Sequence, residues 1–271
     1  DIAMALEGLP RQASTHACGI IIAKEPVVNY VPLYARDDII STQYIMTTLE
    51  ELGLLKMDFL GLRTLTVIRD CKELVKKNRG IDVEFDKEMN DPAVFKKWQD
   101  GESVGIFQFE SQGMTNFMKE LKPDCLEDII AGVSLYRPGP MDNLDSYALR
   151  KHKKEVIPMI HKDYDEILKS TYGIIIYQEQ IMKIIQTVAK MSFSQADLIR
   201  RIISKKKIDD MQAIKDNFIE SAINNNYSRK DAYEIFNNIE KFASYGFNKS
   251  HAVAYATLAY QLAYLKAHFP L

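Results

Sequence analysis

Lys56 and Asp58 are the two residues whose types and spacing most directly indicate chemistry. They stand two positions apart in a segment where charged and apolar residues alternate. Alternate residues of a β-strand share one face, so we expect both charges to project outward, about 6–7 Å apart along the strand. The apolar residues of this strand would pack inward: Leu55, Met57 and Phe59. An ammonium group and a carboxylate at this spacing could hold a phosphate and a metal ion; the alternative is an ordinary solvated ion pair.

A second candidate site is a group of cations on one predicted helix and its exit: Arg200, Arg201, Lys205, Lys206 and Lys207. Arg201 and Lys205 are one helical turn apart, and like charges at this spacing are mildly destabilising unless an anion lies beside them. Asp197, four residues before Arg201, offsets only part of this repulsion. Two interpretations stay open: an anion-binding helix, or a solvated basic helix end that the helix dipole stabilises.

The third candidate lies where a loop meets an alanine-rich helix, in residues 242–251 (FASYGFNKSH). The first N–H groups of a helix lack intrahelical partners and favour an anion, and Lys249 and His251 add hydrogen-bond donors. The alternative is that Ser250 caps the helix and that His251 is capped or solvated.

Other histidines and basic residues give weaker signals. No metal-ligand spacing relates His16, His152, His161 and His268, so we expect them to be structural or exposed. The basic run at residues 150–154 (RKHKK) is expected to be a solvated loop, with contact to a DNA backbone as the alternative. The sequence has no Ser-His-Asp set, Walker loop or GxGxxG fingerprint, which disfavours hydrolase, P-loop and Rossmann interpretations.

The elements that must position these residues change in type near Gly61. Residues 16–23 (HACGIIIA) predict a buried strand, and residues 54–59 predict a second strand. The apolar spacing then becomes helical and predicts helices at 62–78, along the stripe 181–188 and at 252–267. Two further helices are predicted after Ser-x-x-Asp start signals. One covers 198–206 after Ser194–Asp197, and the other runs to about residue 242 after Ser228–Asp231. We therefore predict an α+β chain that is predominantly helical.

Composition limits the class of protein. The 271 residues are 46% hydrophobic and 27% charged, as in globular proteins, and a net charge of −2 gives no general attraction for nucleic acid. No apolar run approaches the roughly 18 residues that a membrane span needs. The scattered cysteines suit a reducing compartment: Cys18, Cys71 and Cys125. Because the chain starts at Asp1 without an initiator methionine, we expect a fragment of a larger cytosolic protein.

Several short segments follow one another in a characteristic order. They are LEGLPR (6–11), HACG (16–19), KMDFLGLRTL (56–65), FQFESQGM (107–114), YRPGP (136–140), YGIIIYQEQ (172–180), the Arg200–Arg201 pair with its lysines, and YGFNKSH (245–251). Together they resemble the bacterial replicative DNA polymerase III α subunits, the family C polymerases. The resemblance runs almost from end to end of the chain.

The resemblance implies part of a palm related to the polymerase β-like nucleotidyltransferases, followed by helical fingers. The implied domains are residues 1–15 (end of the thumb), 16–62 (second part of the palm) and 63–271 (fingers, truncated at the C-terminus). Asp58 matches the third carboxylate of a catalytic aspartate triad, which binds metal, and Lys56 matches a neighbouring phosphate-contacting lysine. Other matching residues would face the incoming nucleotide: Arg200, Arg201, Lys205, Asn248, Lys249, Ser250 and His251. From its place at the helix start, His251 could contact a phosphate or stand against the sugar and so resist ribonucleotides; the alternative is that it contributes only packing.

The implied activity is DNA-directed DNA synthesis, in which two Mg²⁺ ions activate the primer 3′-hydroxyl and neutralise the pyrophosphate leaving group. The implied partners are primer–template DNA and deoxynucleoside triphosphates, with the sliding clamp and other replisome subunits bound through regions absent here. The implied location is the cytoplasm, without membrane contact. The family's other two aspartates belong to an Asp-x-Asp strand upstream of Asp1, so we expect the chain alone to be inactive. The alternative function is a non-catalytic helical module that binds nucleic acid or a partner protein.

Overall fold

The computed structural model describes residues 2–9, 14–204, 208–243 and 245–270. The chain divides into two compact units, Asp1–Arg63 and Thr64–Leu271. All the strands that the structure describes lie in the first unit, and the second unit is built from helices and their connections. The predicted class, a predominantly helical α+β chain, is confirmed.

The first unit contains two short antiparallel strand pairs. Its described elements are α1 (Ile2–Leu6), β1 (Gly19–Ile22), β2 (Leu33–Arg36), β3 (Ile39–Thr42), α2 (Met46–Glu51) and β4 (Leu55–Asp58). β1 pairs with β4, and β2 pairs with β3. In the first pair, Ile21 lies opposite Lys56 and Gly19 lies opposite Asp58. Ile21 packs against a small apolar core formed by Val31, Leu49 and Leu54.

The prediction that β1 and the apolar face of β4 are buried is wrong. The apolar side chains on one face of this strand pair, and the residue after β4, are exposed: Ile20, Ile22, Leu55, Met57 and Phe59. The opposite face turns towards the small core because Ile21, the cross-strand neighbour of Lys56, packs there. The Lys56 side chain is only 13% exposed. A lysine can occupy such a position because its methylene stem covers apolar surface while the ammonium group reaches the edge.

The second unit consists of helices around two large apolar cores and a smaller one, in which Ile68 from the first helix of the unit packs with Val83, Leu262 and Leu265. Its helices are α3 (Arg63–Arg79), which begins at the junction, α4 (Pro92–Gln99), α5 (Gln112–Leu121), α6 (Leu126–Leu135), α7 (Leu144–Lys151), α8 (Lys162–Leu168), α9 (Gln178–Ala189), α10 (Phe193–Ser204), α11 (Ile208–Asn224), α12 (Arg229–Ala243) and α13 (Lys249–His268). One core joins α4–α7 with α13, and the other joins α8–α12. Ile174 and Ile176 contribute to the first core, and Ile175 contributes to the second. This short segment therefore ties the two cores together.

The start of α10 differs from its prediction. Ser192 Oγ accepts a hydrogen bond from the Gln195 backbone N–H at 3.3 Å, and Gln195 Oε1 accepts one from the Ser192 N–H at 2.9 Å. This reciprocal pair is a capping box, so the helix begins before the predicted start signal, and Ser194 and Asp197 lie inside it. Asp197 is thereby placed on the helix surface, one turn before the two arginines.

The other helix ends agree better with the sequence. The Ser228–Asp231 start signal is confirmed, because Ser228 Oγ accepts a hydrogen bond from the Asp231 N–H at 3.0 Å. Helix α13 is longer than predicted and begins at Lys249, inside the third candidate segment. In the described part of the chain no helix, α13 included, is both long and apolar enough to cross a membrane.

Candidate functional site

A cleft of about 490 Å³ lies in the second unit, beside its first core. Its wall comes from the start of α5, the end of α6 and the start of α13: Gln108, Ser111, Met114, Val133, Tyr136, Arg137, Phe247, His251 and Tyr255. Aromatic and apolar surface alternates here with an amide, a hydroxyl, a guanidinium and an imidazole group. Such a lining is typical of a small-molecule site with a few orienting polar groups.

Two close approaches bring the segments of the cleft together. A side chain at position 113 would place its Cβ 1.9 Å from the Tyr136 hydroxyl oxygen, so only glycine allows Tyr136 to lie against the start of α5. Gly139 has a φ of +100°, and a Cβ there would lie 2.4 Å from the Tyr245 ring. Both glycines belong to segments that carry the family resemblance, and both serve a contact between segments that are distant in sequence.

The loop before α13 is held by the segment that joins the two cores. The Phe247 N–H donates to the Ile176 carbonyl at 2.9 Å, and the Gln178 N–H donates to the Phe247 carbonyl at 2.9 Å. The side chain of Gln180 in turn accepts hydrogen bonds from the Ile176 and Tyr177 N–H groups, each at 2.9 Å. The position of Phe247 is therefore fixed by backbone pairing with α9 and the residues that precede it.

The first turn of α13 is already occupied by acceptors from the protein itself. Asn248 Oδ1 accepts a hydrogen bond from the His251 N–H at 2.8 Å and caps the helix. Both carboxylate oxygens of Glu179 accept from the Lys249 N–H at 3.0 Å, and Glu179 also accepts from the Asn248 amide at 3.2 Å. The expectation that the first N–H groups of this helix are free for an anion is therefore wrong for Lys249 and His251, because Glu179 and Asn248 accept from them. The expectation that Ser250 caps the helix is also wrong, because the cap is Asn248.

His251 projects into the cleft between two aromatic rings. Its imidazole lies 4.1 Å from the Tyr255 ring centroid, in a tilted contact, and 5.5 Å from the Phe247 ring centroid, edge to face. No hydrogen bond to the imidazole is present among the described residues, and the residue is exposed. The ring is therefore oriented by packing alone, and both of its nitrogens are available to a ligand.

Arg137 closes the cleft from the YRPGP loop. Its guanidinium lies over the Phe247 ring, with the carbon atom 4.2 Å from the centroid, and one terminal nitrogen donates to the Tyr245 carbonyl at 3.0 Å. Its Nε is buried without a hydrogen-bond partner among the described residues. Burial lowers the pKa of Arg137, which is the expected effect of desolvating a cation.

The two arginines of α10 share one carboxylate. Arg200 donates to Asp197 Oδ1 through two nitrogens, at 3.1 and 2.8 Å, and Arg201 lies 2.8 Å from Asp197 Oδ2. The hydrogen bonds from Arg200, with the charges of both arginines, lower the pKa of Asp197. The side chain of Arg200 is 17% exposed and that of Arg201 is 65% exposed, so Arg201 presents the more accessible cation. Lys205 lies outside the described residues, and so do Lys206 and Lys207.

Lys56 and Asp58 form the expected ion pair in the first unit. Lys56 Nζ lies 2.5 Å from Asp58 Oδ1, and His16 Nδ1 lies 3.8 Å from the same oxygen. The hydrogen bond from Lys56 lowers the pKa of Asp58, so the carboxylate is ionised at neutral pH. Within the described residues Asp58 Oδ2 has no partner, and the side chain is half exposed.

The surroundings of Asp58 fit one oxygen ligand to a hard cation rather than a complete metal cage. The other donors within reach are His16 and Cys18, and these three groups place one ligand atom each within 4.8 Å of one another. Imidazole and thiol groups are poor ligands for Mg²⁺, which takes oxygen. His16 Nδ1 moreover accepts the Gly19 N–H at 2.9 Å. Asp58 is therefore the one residue of this group that suits magnesium.

The basic run at residues 150–154 is only partly the solvated loop that the sequence predicts, because Lys153 and Lys154 are exposed in the turn after α7 whereas Arg150 and Lys151 belong to the helix. Arg150 and Lys151 end α7, and Arg150 donates to Glu155 at 2.7 Å. Lys151 is nearly buried and donates to Asp128 and, at 2.7 Å, to Asp124. Burial raises the pKa of Asp128 against the opposing effect of the Lys151 ammonium group. Arg150 and Lys151 are therefore paired with carboxylates of the protein and are not available to a DNA backbone.

The structure therefore gathers only part of the predicted site. His251 is the one predicted site residue among those that line the cleft; Arg200 and Arg201 lie on another helix of the same unit, and Lys56 and Asp58 belong to the first unit. Sequence reasoning missed Glu179 and left the role of Arg137 open. Their segments were visible through the family resemblance, but spacing along the chain gave no sign that they meet the start of α13.

Comparison with known proteins identifies the family. Residues 1–61 match the family model described as the bacterial DNA polymerase III alpha NTPase domain. Residues 64–226 match the model described as the bacterial DNA polymerase III alpha subunit finger domain, which alone covers more than half of the chain. This chain belongs to the bacterial DNA polymerase III alpha subunit family.

Individual relatives agree with the family models. The chain is 47% identical to the DNA polymerase III subunit alpha of Aquifex aeolicus over 274 residues, of Bacillus subtilis over 273 and of Thermus aquaticus over 278. Each alignment covers 100% of this chain but only 24%, 24% and 23% of the relative. The chain thus spans about a quarter of the length of these polymerase III alpha subunits.

Proposed function

We propose that this chain forms part of the nucleotide-binding and nucleotidyl-transfer region of a DNA polymerase III alpha subunit, which adds deoxynucleotides to a primer 3′-hydroxyl. The observation that carries the proposal is the cleft itself: segments 107–114, 136–140 and 245–251, far apart in sequence, meet around His251. Family membership supports the reaction class. The thumb, palm and fingers at residues 1–15, 16–62 and 63–271 are part of the same proposal.

Asp58 would provide one ligand to the catalytic metal, through its ionised carboxylate and its unpartnered Oδ2. Bound Mg²⁺ supplies Lewis-acid stabilisation of the charge that develops on the phosphate and the attacking oxygen. Lys56 has two tasks in this proposal. Its ammonium group holds Asp58 Oδ1 in place, and its position at the strand edge leaves it able to contact a phosphate oxygen.

Arg201 is proposed to contact the triphosphate, together with Lys205. The Arg201 side chain is mostly exposed, and the carboxylate beside it is shared with Arg200. Arg200, more buried and bound through two nitrogens, is proposed to hold Asp197 and so to orient Arg201. Two cations around one carboxylate leave a net positive charge that a phosphate can neutralise.

His251 is proposed to stand against the sugar of the incoming nucleotide. Its imidazole is presented between two rings, and the helix N–H groups beside it are taken by Glu179 and Asn248. This arrangement favours contact with the sugar over a phosphate cradle built from backbone N–H groups. Asn248 and Lys249 would then support the site by fixing the helix start, and Ser250 would lie on the exposed side of the same turn.

The proposed partners are primer–template DNA and deoxynucleoside triphosphates, with the sliding clamp and other replisome subunits bound through parts of the protein outside this chain. The proposed location is the cytoplasm. A non-catalytic nucleic-acid-binding module is not favoured, because both family models that match the chain describe parts of a polymerase subunit. Arg150, Lys151 and Arg200 are moreover engaged by carboxylates of the protein itself.

Kinetics of the H251A variant in the full-length subunit test the proposal. We expect the ratio of kcat/KM for ribonucleotides to that for deoxynucleotides to rise several-fold, since a small side chain removes the group beside the sugar. H161A is the matched control, because His161 also lies at a helix start and stacks on an aromatic ring, Tyr227, at 4.0 Å. An equal fall in kcat/KM for ribonucleotides and deoxynucleotides would mean that His251 contacts a phosphate. Unchanged kinetics with a lower melting temperature would leave His251 only a packing role and contradict the proposal.

A further inference from the structure

Arg137 is a cation without a counter-charge. Among the described residues no carboxylate pairs with its guanidinium, and its Nε is buried without a hydrogen bond. The residue as a whole is half-buried, but a buried donor atom without a partner costs stability, and a long apolar side chain would avoid that cost. The contacts that Arg137 does make therefore indicate what it contributes.

Those contacts hold the loop before α13 at two points. One terminal nitrogen fixes the backbone carbonyl of Tyr245, and the planar guanidinium covers the ring of Phe247 two residues later. The Tyr245 ring packs directly against Gly139, which lies in the same loop as Arg137, and leaves no room for a side chain at position 139. Lysine could not reproduce this combination, since it lacks a planar group that stacks and donates at once.

The held loop in turn orients His251. Phe247 precedes the helix cap, and its ring meets the imidazole edge to face, whereas Tyr255 supports the imidazole from one turn further along α13. Tyr255 is fixed by the helix, whereas Phe247 is held by its backbone pairing, by packing against the first core and by the guanidinium above its ring. The guanidinium covers the ring face of Phe247, and so Arg137 helps to set the side-chain direction of the residue that contacts the imidazole.

We propose that Arg137 is a positioning residue that sets the orientation of His251 through Phe247 and thereby the discrimination between deoxynucleotides and ribonucleotides. This inference rests on the proposed function of the cleft. It assigns Arg137 no contact with the substrate.

The test compares R137M, R137K, H251A and the R137M/H251A double variant in the full-length subunit on primer–template DNA. We expect R137M to reproduce a large part of the several-fold rise in the ribonucleotide-to-deoxynucleotide kcat/KM ratio seen with H251A. R137K should lie between R137M and the wild type. The double variant should equal H251A alone, because residues that act through one another are not additive.

The matched control is R79M. Arg79 lies over the Phe269 ring at 5.9 Å and donates to the Pro270 carbonyl at 3.0 Å, which is the same pair of contacts at a place remote from the cleft lining. R79M should keep the wild-type ratio of kcat/KM for ribonucleotides to kcat/KM for deoxynucleotides. Should R137M fail to fold, R137K and F247L interrupt the same chain of contacts, and both should shift the ratio.

A wild-type ratio in R137M alongside a shifted ratio in H251A would overturn the inference and leave the proposed function standing. Additive effects in the double variant would also overturn it, because Arg137 would then act independently of His251. An unchanged ratio in H251A would contradict the proposed function itself.

Discussion

At the scale of single residues, Asp58 is held in its charged form by its neighbours. The Lys56 hydrogen bond is the main reason that the pKa of Asp58 is lowered, and the charge of Lys56 acts in the same direction. A lowered pKa in the folded state means that the contribution of Asp58 to stability is present at neutral pH and is lost as pH falls through the folded-state pKa. The carboxylate is therefore an anion at neutral pH.

We expect D58N in the full-length subunit to abolish nucleotide addition while the protein still folds. Asparagine keeps the shape of the side chain but removes the anionic oxygen that a metal ligand requires. The Asp58 side chain of the lost ion pair is half exposed, and ion pairs of exposed groups contribute little to stability. Primer extension in Mg²⁺ and a thermal melt measure the two effects.

D37N provides the matched control for this variant. Asp37 lies in the same unit, pairs with Arg36 at 3.4 Å and has a φ of +50°, a conformation that asparagine tolerates well. Extension by D37N should match the wild type. Near wild-type extension by D58N would show that Asp58 is not a metal ligand.

At the scale of elements, the start of α13 depends on an acidic side chain from α9. Glu179 accepts the Lys249 N–H and the Asn248 amide, at the positive end of the helix dipole. E179Q should lower stability by about 1–2 kcal/mol, because a charge-assisted hydrogen bond becomes a neutral one at a helix N-terminus. Denaturant or thermal unfolding measures the loss.

E166Q is the comparison variant for E179Q. Glu166 pairs with Lys169 on the surface, and both side chains are largely exposed, so this substitution should change stability little. Equal stability of the two variants would mean that Glu179 does not support the helix start.

Helix α10 presents Arg201 to solvent while Arg200 holds the shared carboxylate. We expect R201M to raise the KM for deoxynucleotides several-fold with little change in melting temperature, because the exposed Arg201–Asp197 pair adds little stability. R69M is the matched control: Arg69 has the same 65% exposure and pairs with Asp70 at 2.7 Å. If both variants had the wild-type KM, Arg201 would not contact the nucleotide.

At the scale of the whole molecule, the order of segments along the chain was sufficient to predict the fold class and the family. Periodicity located five helices of the second unit, α3, α9, α10, α12 and α13, because their apolar faces pack inward, as in α9, where the stripe of Ile181, Ile184, Ile185 and Val188 is buried. It did not single out α4–α8 or α11. It failed for β4, where the alternation was correct but the buried face was not. Which face of a strand packs depends on its cross-strand partner, here Ile21, and that pairing is not local in sequence.

The candidate site was predictable only where one segment carried the chemistry. His251 and Asp58 could be singled out from their own surroundings. Glu179 at the start of α13 and Arg137 above Phe247 act across about 70 and 110 residues of chain, distances that follow from tertiary packing. The roles of the thumb, palm and fingers stay predictions.

The most direct test of the central claim, that the cleft around His251 holds the incoming nucleotide, is a structure of the full-length subunit with primer–template DNA and a deoxynucleoside triphosphate. We predict that the sugar of the nucleotide lies within van der Waals distance, about 4 Å, of the His251 imidazole, with Arg137 still over Phe247. A nucleotide bound elsewhere, with this cleft closed by side chains of the protein, would contradict the claim.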